Sequence, residues 1–427
     1  MRKSFISTAV LVALAAPTLV FAEDAAPAAP AADAAPAADA APAAPALMQG
    51  MNFPLSNNPN PLNFEAGPLG KVYVSGALSG IALTQNHKVP FDGWNASKEQ
   101  TSYGDLSNAQ AIVQKVDGLF QFYVQAGGYS QPTLGTAYTK STKQTSDSYG
   151  YIPVAFAKLA PTDNFSIQAG KLPTLIGTEY AFTFQNTNIE RGLIWGQENV
   201  ISRGVQANAT FGPLAISGAL TDGFYTQDYK YLTALATYTT NDSNSLSIAA
   251  GGNPSGTKAR DIDNKLPVLS NSVALANSQQ YNLYYKNVTG AWTFQPILQY
   301  TKVNADSSND YATTINSTTT KLGNGHTLGG SLIVNYDFNE NYSLAARGEY
   351  IKETGNDQLL NFGTNSPKAW SLTLTPTYKQ KSFFARADLS YVKLNHAQSG
   401  SEFGTIGTGI GNEDSQARAM AEVGFLF

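Results

Sequence analysis

The chain has no cysteine among its 427 residues, which excludes a disulfide framework and thiolate chemistry. It has only three histidines, His87, His326 and His396, with no HExxH pairing and no glycine-rich phosphate cradle. Charged residues are sparse, at 14 %. After the first 22 residues there is no apolar run near the ~20 residues that a membrane helix needs. A chain of this kind that crosses a membrane must do so as a closed barrel, because lipid offers no partner to unpaired backbone groups.

Residues 1–22 have the anatomy of a secretory signal peptide. Arg2 and Lys3 open it, Phe5 to Val20 is apolar and broken by Pro17, and Val20-Phe21-Ala22 is a small-residue cleavage triplet. An uncleaved anchor is the alternative, disfavoured by the short apolar run. Removing two basic residues leaves 25 basic against 31 acidic, a balance that argues against a nucleic-acid partner. Residues 23–46 are almost wholly Ala, Pro and Asp, too proline-broken for helix and too poor in apolar bulk for a core, so a disordered linker is expected. Residues 47–69, with Pro54, Pro59 and Pro61, are expected to be an irregular N-terminal segment.

From Gly70 the pattern changes to apolar-polar alternation punctuated by turn signals. Sixteen strands are expected at about 70–83, 105–116, 119–130, 150–160, 164–172, 200–211, 214–221, 229–240, 243–252, 278–288, 291–303, 325–338, 341–352, 368–379, 382–394 and 415–427. Their connections alternate without a break between very short turns, such as Gly212-Pro213 and Gln380-Lys381, and mostly long polar loops. Tight turns at one end and long loops at the other are a property of outer-membrane barrels. The faces agree: Trp292, Phe294, Leu298 and Tyr300 oppose Thr293, Gln295 and Gln299, so one face suits lipid and the other water. Aromatic residues beside the short turns (Phe120, Phe165, Phe211, Tyr238, Trp292, Phe338, Tyr342, Tyr378 and Phe383) suit a headgroup-level girdle. The fold class read from this is all-β: a transmembrane antiparallel up-and-down β-barrel of about sixteen strands over residues 70–427, with short periplasmic turns, long extracellular loops and both termini periplasmic.

Two stretches carry a resemblance. Glu422 to Phe427 is similar to the closing strand of outer-membrane barrels, which often ends in Phe and is read by the assembly machinery. Gly170 to Glu179, with Asn186 to Asn188 and Gly204 to Ala207, resembles the β-barrel porin-2 (OmpL-like) family. The resemblance implies an outer-membrane porin and names no solute.

The connection 173–199 is the longest and carries Leu175, Ile176, Tyr180, Phe182, Phe184, Leu193, Ile194 and Trp195, too many apolar groups for a loop in solvent. It is expected to fold into the lumen as a constriction loop, with Glu179, Glu190, Arg191 and Glu198 facing the pore. A strand pair at 179–184 is the competing reading, although six residues are too few to cross a membrane. Three glutamates against one arginine lean this filter toward cations. Arg347, Glu349, Arg386, Asp388, Arg418 and Glu422 are expected on the pore-lining face. Most of these inward charges are expected to be paired as structural salt bridges across neighbouring strands.

Because about sixteen strands leave a water-filled lumen, the expected activity is passive diffusion of small hydrophilic solutes and ions. No catalytic residue, metal or cofactor is expected: the three histidines fall in or beside loops without flanking carboxylates, and no Ser-His-Asp arrangement is evident. A substrate-specific channel or receptor and a non-conducting surface barrel are the alternatives. The expected partners are outer-membrane lipid and lipopolysaccharide, the assembly machinery through Phe427, and further copies in a homotrimer.

Overall fold

The structure, a computed structural model, describes residues 55, 61–89, 100–256, 272–313, 318–355, 359–360, 367–395, 403 and 413–427. The leader at 1–22, the linker at 23–46 and His396 lie outside them.

Strands form wherever the sequence alternates, because successive side chains of an extended chain point to opposite faces. In chain order they are β1 (Lys71–Gln85), β2 (Ser102–Lys115), β3 (Phe120–Tyr129), β4 (Val154–Thr162), β5 (Phe165–Pro173) and β6 (Ile201–Phe211). Next come β7 (Leu214–Thr221), β8 (Tyr231–Asn241), β9 (Asn244–Gly252), β10 (Ser278–Thr289) and β11 (Trp292–Val303). The last are β12 (Gly325–Asp337), β13 (Tyr342–Gly355), β14 (Lys368–Gln380), β15 (Phe383–Asn395) and β16 (Ser415–Leu426). Each pairs antiparallel with its sequence neighbours, and β16 returns to β1 in a register from Arg418↔Gln85 to Leu426↔Ala77. The result is a closed sixteen-stranded antiparallel barrel, which leaves none of these strands as an open edge.

Phe427 completes the closure. It exchanges backbone hydrogen bonds with Gly76 (N–H to O 3.1 Å, O from N–H 2.9 Å). A Cβ on Gly76 would lie 2.5 Å from the Phe427 ring, so only glycine fits beneath the terminal residue. The tight turns use left-handed backbone: Gly212 has φ 57°, and Lys381 takes φ 52° where a glycine would be easier.

The outer face is apolar and exposed, with Leu298, Leu328, Leu389 and Ile248 all more than half accessible. Phe120, Phe211, Phe338 and Tyr342 stand exposed beside the short turns, as a girdle requires. No helix among the described residues is long and apolar enough to cross a membrane.

Three local features depart from the sequence reading. Within the segment expected to be irregular, Leu62–Glu65 forms a short strand on Lys71–Val74, followed by a 3-10 turn at Gly67–Leu69. The loop after β3 contains a helix, α1 (Ser141–Asp147). The loop after β11 contains a hairpin, Asp306–Thr313 with Thr318–Leu322. The extra strands weighed at 179–184 do not form; that stretch holds a 3-10 turn at Thr183–Gln185.

Candidate functional site

The chain between β5 and β6, residues 174–200, does not project from the barrel. Ile176, Phe182, Phe184, Ile189, Leu193, Ile194 and Trp195 are all buried, the apolar content that marks the loop in the sequence. Phe182 and Phe184 pack with inward residues of β3 to β5, among them Tyr123, Tyr129, Phe156 and Leu172. Phe182 meets the Tyr129 ring edge-on, with centroids 5.0 Å apart. Leu193 and Ile194 join Ile297, Ile333 and Ile351 on the facing wall. The loop therefore spans the lumen and is held by apolar contacts at both sides.

Its polar groups dock on the inner face of β13 to β16. Arg386 of β15 donates from Nη1 to the Asn186 carbonyl (2.7 Å) and from Nη2 to the Thr183 carbonyl (2.6 Å), and it pairs with Glu422 at 2.7 Å. Glu422 also accepts from the Thr183 hydroxyl (2.6 Å) and from Ser79 of β1 (3.0 Å). Arg347 pairs with Glu179 and donates to the Glu190 carbonyl (2.7 Å). The carboxylates of Asp388 and Glu349 accept the backbone N–H groups of Glu190 (2.8 Å) and Leu193 (3.0 Å). Arg418 pairs with Glu190 at 3.0 Å, and Ser390 donates to the other oxygen of the same carboxylate at 2.6 Å.

All ten charged residues singled out in the sequence are thus brought into one layer, but Glu198 and Arg191 share no ion pair with the wall among the described residues. Glu190, Arg191, Arg347, Asp388 and Glu422 have no exposed surface, and none of the other five exceeds 8 %. The expectation that the loop carboxylates face water is corrected: an approaching arginine or hydroxyl covers each one that docks. The lean toward cation selectivity loses its basis with that exposure.

Two loop groups are left poorly served. Glu198 is 4 % exposed, and its Oε2 has no hydrogen-bond partner among the described residues. Burial pushes its carboxyl well above the usual range, and Glu179 and Glu349 nearby add to the shift. Burial also raises Glu179, against the pull of Arg347, and lowers Arg191 to about 10. Arg191 donates from Nη1 to the Ile189 carbonyl (2.9 Å) and lies over the Trp195 ring, while its Nε and Nη2 lack partners among the described residues.

Sequence reasoning missed the uncharged clamps. The Gln197 side chain accepts from Thr327 of β12 (2.7 Å) and donates to the Leu359 carbonyl (3.2 Å), and its backbone carbonyl accepts from Gln280 of β10. Asn188 donates to Thr375 of β14 (2.6 Å), and Asn108 of β2 donates to Thr183 (2.5 Å). A lone amide or hydroxyl in a loop carries no spacing signal; Asn186 to Asn188 stood out only through the family resemblance. The loop after β3 also contributes: Arg191 donates its N–H to the Pro132 carbonyl, and Arg418 donates to the Thr133 carbonyl.

Beyond the loop, water-accessible inward side chains lie on the other side of the barrel. Lys158, Asn208, Ser217, Leu235, Thr237, Tyr284, Lys286 and Gln295, on β4 to β11, are all half-buried. The inward residues of β13, β15 and β16 are all buried. Of the histidines, His87 contacts the Ser415 carbonyl and His326 packs on Tyr300; the described residues contain no group of metal-ligating side chains.

Solved outer-membrane proteins share this architecture. OmpT of Vibrio cholerae is 10 % identical over 86 % of this chain and 100 % of its own, with a TM-score of 0.53. The anion-selective porin of Comamonas acidovorans is 12 % identical over 83 % and 99 %, with a TM-score of 0.54. The channel DcaP of Acinetobacter baumannii is 12 % identical over 83 % and 97 %, with a TM-score of 0.51. At such identities the likeness is one of fold alone, and no match was found among curated protein sequences. A family model described as "Putative beta-barrel porin-2, OmpL-like" matches residues 71–427, from the first barrel strand to the terminal Phe427. The chain belongs to that family and is an outer-membrane porin.

Proposed function

We propose that this porin is a passive, non-enzymatic channel for small hydrophilic solutes and ions, in which residues 174–200 form the constriction. The observation that supports this most is the complete covering of one inner wall by the loop, while a set of inward side chains on β4 to β11, among them Lys158, Asn208, Thr237 and Lys286, stays half-buried. Solutes then pass along the uncovered wall, filtered by width and by the charges exposed there. Above the turns those charges are Lys158 and Lys286, so the route favours anions. The eight paired charged residues of the docked layer act by holding the loop in place and set the field only at second hand.

Single-channel recording in a planar bilayer tests this directly. Wild type should conduct, with a reversal potential in a salt gradient displaced toward anions, and deletion of 178–196 should enlarge the conductance. No conductance from folded protein would favour a non-conducting surface barrel, and saturable flux of one solute would favour a substrate-specific channel. Unchanged conductance after the deletion would remove the loop from the constriction.

The short turns and both termini are assigned to the periplasm. A tag at Gly256 should be reachable on intact cells, and one at Asn241 should not. Phe427, whose ring packs against Gly76 at the turn end, is the proposed contact for the assembly machinery. A homotrimer is the proposed assembly; in-vitro folded OmpT of Vibrio cholerae has a trimer form.

A further inference from the structure

The outer face of the barrel is uneven at its loop end. On β11 to β15, outward positions just beyond the apolar band carry Lys302, His326, Lys352, Lys368 and Lys393 in unbroken succession. Register joins them: Lys302 lies opposite His326, and Lys352 lies directly opposite Lys368. Leu328 beside His326 pairs with Lys352, and Trp370 beside Lys368 pairs with Lys393, which links the row at each step. Two residues toward mid-membrane from each cation stands an apolar or aromatic partner: Tyr300, Leu328, Tyr350, Trp370 and Tyr391. Trp370 and Tyr391 are in ring contact with centroids 5.4 Å apart, and His326 packs on Tyr300 at 5.6 Å.

This row is not a generic rim. At the turn end the same strands carry Trp292, Tyr342, Tyr378 and Phe383 outward and no outward lysine within a strand. At the loop end of β16, β1 and β2 the outward residues are Ala417, Thr84, Ser102 and Gly104, with no cation, and the outward Lys171 and Arg203 of β5 and β6 are already engaged, by the Tyr149 and Ile152 carbonyls and by Asp222. Like charges placed directly opposite on a sheet repel, so Lys352 and Lys368 are an unfavourable pair unless an anion lies between them. Lys393 has one, Asp414. Lys302, Lys352 and Lys368 have no acidic partner among the described residues.

We propose that this row is a binding site for the headgroup phosphates of an acylated outer-leaflet lipid. The lysine stems run up from the apolar band and place their ammonium groups at headgroup depth. The acyl chains lie on Leu328, Leu332, Leu372, Leu374 and Leu389, which are exposed on the same strands. The site rests on the assignment of the loop end to the outer leaflet, and it is independent of conduction because every residue in it faces away from the lumen.

The test uses the full-length protein in phosphatidylcholine nanodiscs doped with diphosphoryl lipid A or its dephosphorylated form, with retained lipid measured by mass spectrometry after detergent extraction. Wild type should retain the diphosphoryl form and not the other. Lys352→Gln with Lys368→Gln should retain roughly tenfold less, and Lys352→Arg with Lys368→Arg should retain the wild-type amount. Equal retention of both lipid forms, or undiminished retention by the glutamine pair, would overturn the proposal. So would displacement of the lipid by inorganic phosphate alone, which would reduce the row to a free-anion site. Conductance of the glutamine pair should match wild type; its loss together with lipid retention would mean misfolding, which heat-modified gel migration and the arginine pair both detect.

Discussion

The inner faces of β13 to β16 and of β4 to β9 are built from the same alternation, yet they hold different chemistry. The first carries Arg347, Glu349, Glu353, Arg386, Asp388, Arg418 and Glu422; the second, apart from Lys158, is Gln, Asn, Ser, Thr, Ala and Gly with a few apolar residues. In the sequence both read as water-facing. In the structure the charged wall is covered throughout, whereas the nearly neutral wall keeps some accessible inward side chains, such as Asn208, Ser217 and Thr237. Burying that many charges is costly unless each finds a partner, so the charged wall has to be matched group by group to whatever lies on it. The neutral wall has no such obligation and can remain wet. The difference teaches that inward charge in this barrel marks a seat for the loop, while the proposed route for solutes lies where charge is scarce.

The comparison is broken most severely by removing one cation from the seat. Arg386→Ala strips the partner from Glu422, which has no exposed surface, and frees the carbonyls of Thr183 and Asn186. An uncompensated buried charge of this kind costs about 3–5 kcal/mol. Chemical unfolding in lipid should register that loss, and the loop should become susceptible to protease. If Arg386→Ala is as stable as wild type, the charged layer does not hold the loop. On the opposite wall Lys158→Gln should change stability by no more than about 0.5 kcal/mol. Its effect should appear as a reversal potential moved toward cations. A larger shift from Arg386→Lys than from Lys158→Gln would mean that ions track the covered wall after all.

How much of this could be read from the chain depends on the kind of signal. Strand number, turn ends and facing follow from a period of two, which a sequence states openly; the inward placement of Arg347, Arg386 and Glu422 needed nothing more. The inward folding of the loop was also legible, because Phe182, Phe184 and Trp195 have no place in a solvent-exposed connection. What stayed hidden was which groups pair, above all the partners supplied by the loop. Glu179 meets Arg347 across 168 positions and Glu190 meets Arg418 across 228, and no local pattern encodes contacts of that span. Without the pairs, a glutamate in a lumen looks exposed, and the selectivity lean followed from that. The helix α1 and the hairpin after β11 were missed for a different reason: short polar elements in loops carry no apolar periodicity, so nothing in the pattern distinguishes them from irregular chain.

The smallest expected effect sharpens the comparison within the loop itself. Glu198 sits in the seat without a cation among the described residues, and its carboxyl is held well above the ordinary value of 4.5 by burial. Between 4.5 and that raised value the seated loop keeps a proton that a released loop gives up. Stability of the seat therefore falls as pH rises through this window, and the loss is complete once pH passes the raised value. Glu179 is shifted in the same direction, so it contributes part of the slope. Glu198→Gln keeps the shape and removes the charge, and should flatten the pH dependence while leaving the Glu179 share. Hydrogen exchange over residues 174–200, measured in nanodiscs across the acid-to-neutral range, reads this out. Wild type should exchange faster than expected from intrinsic rates as pH rises, and the glutamine variant should be better protected at neutral pH. Greater protection of the wild-type loop with rising pH would reverse the sign and place Glu198 beside a cation, on the charged side of the comparison.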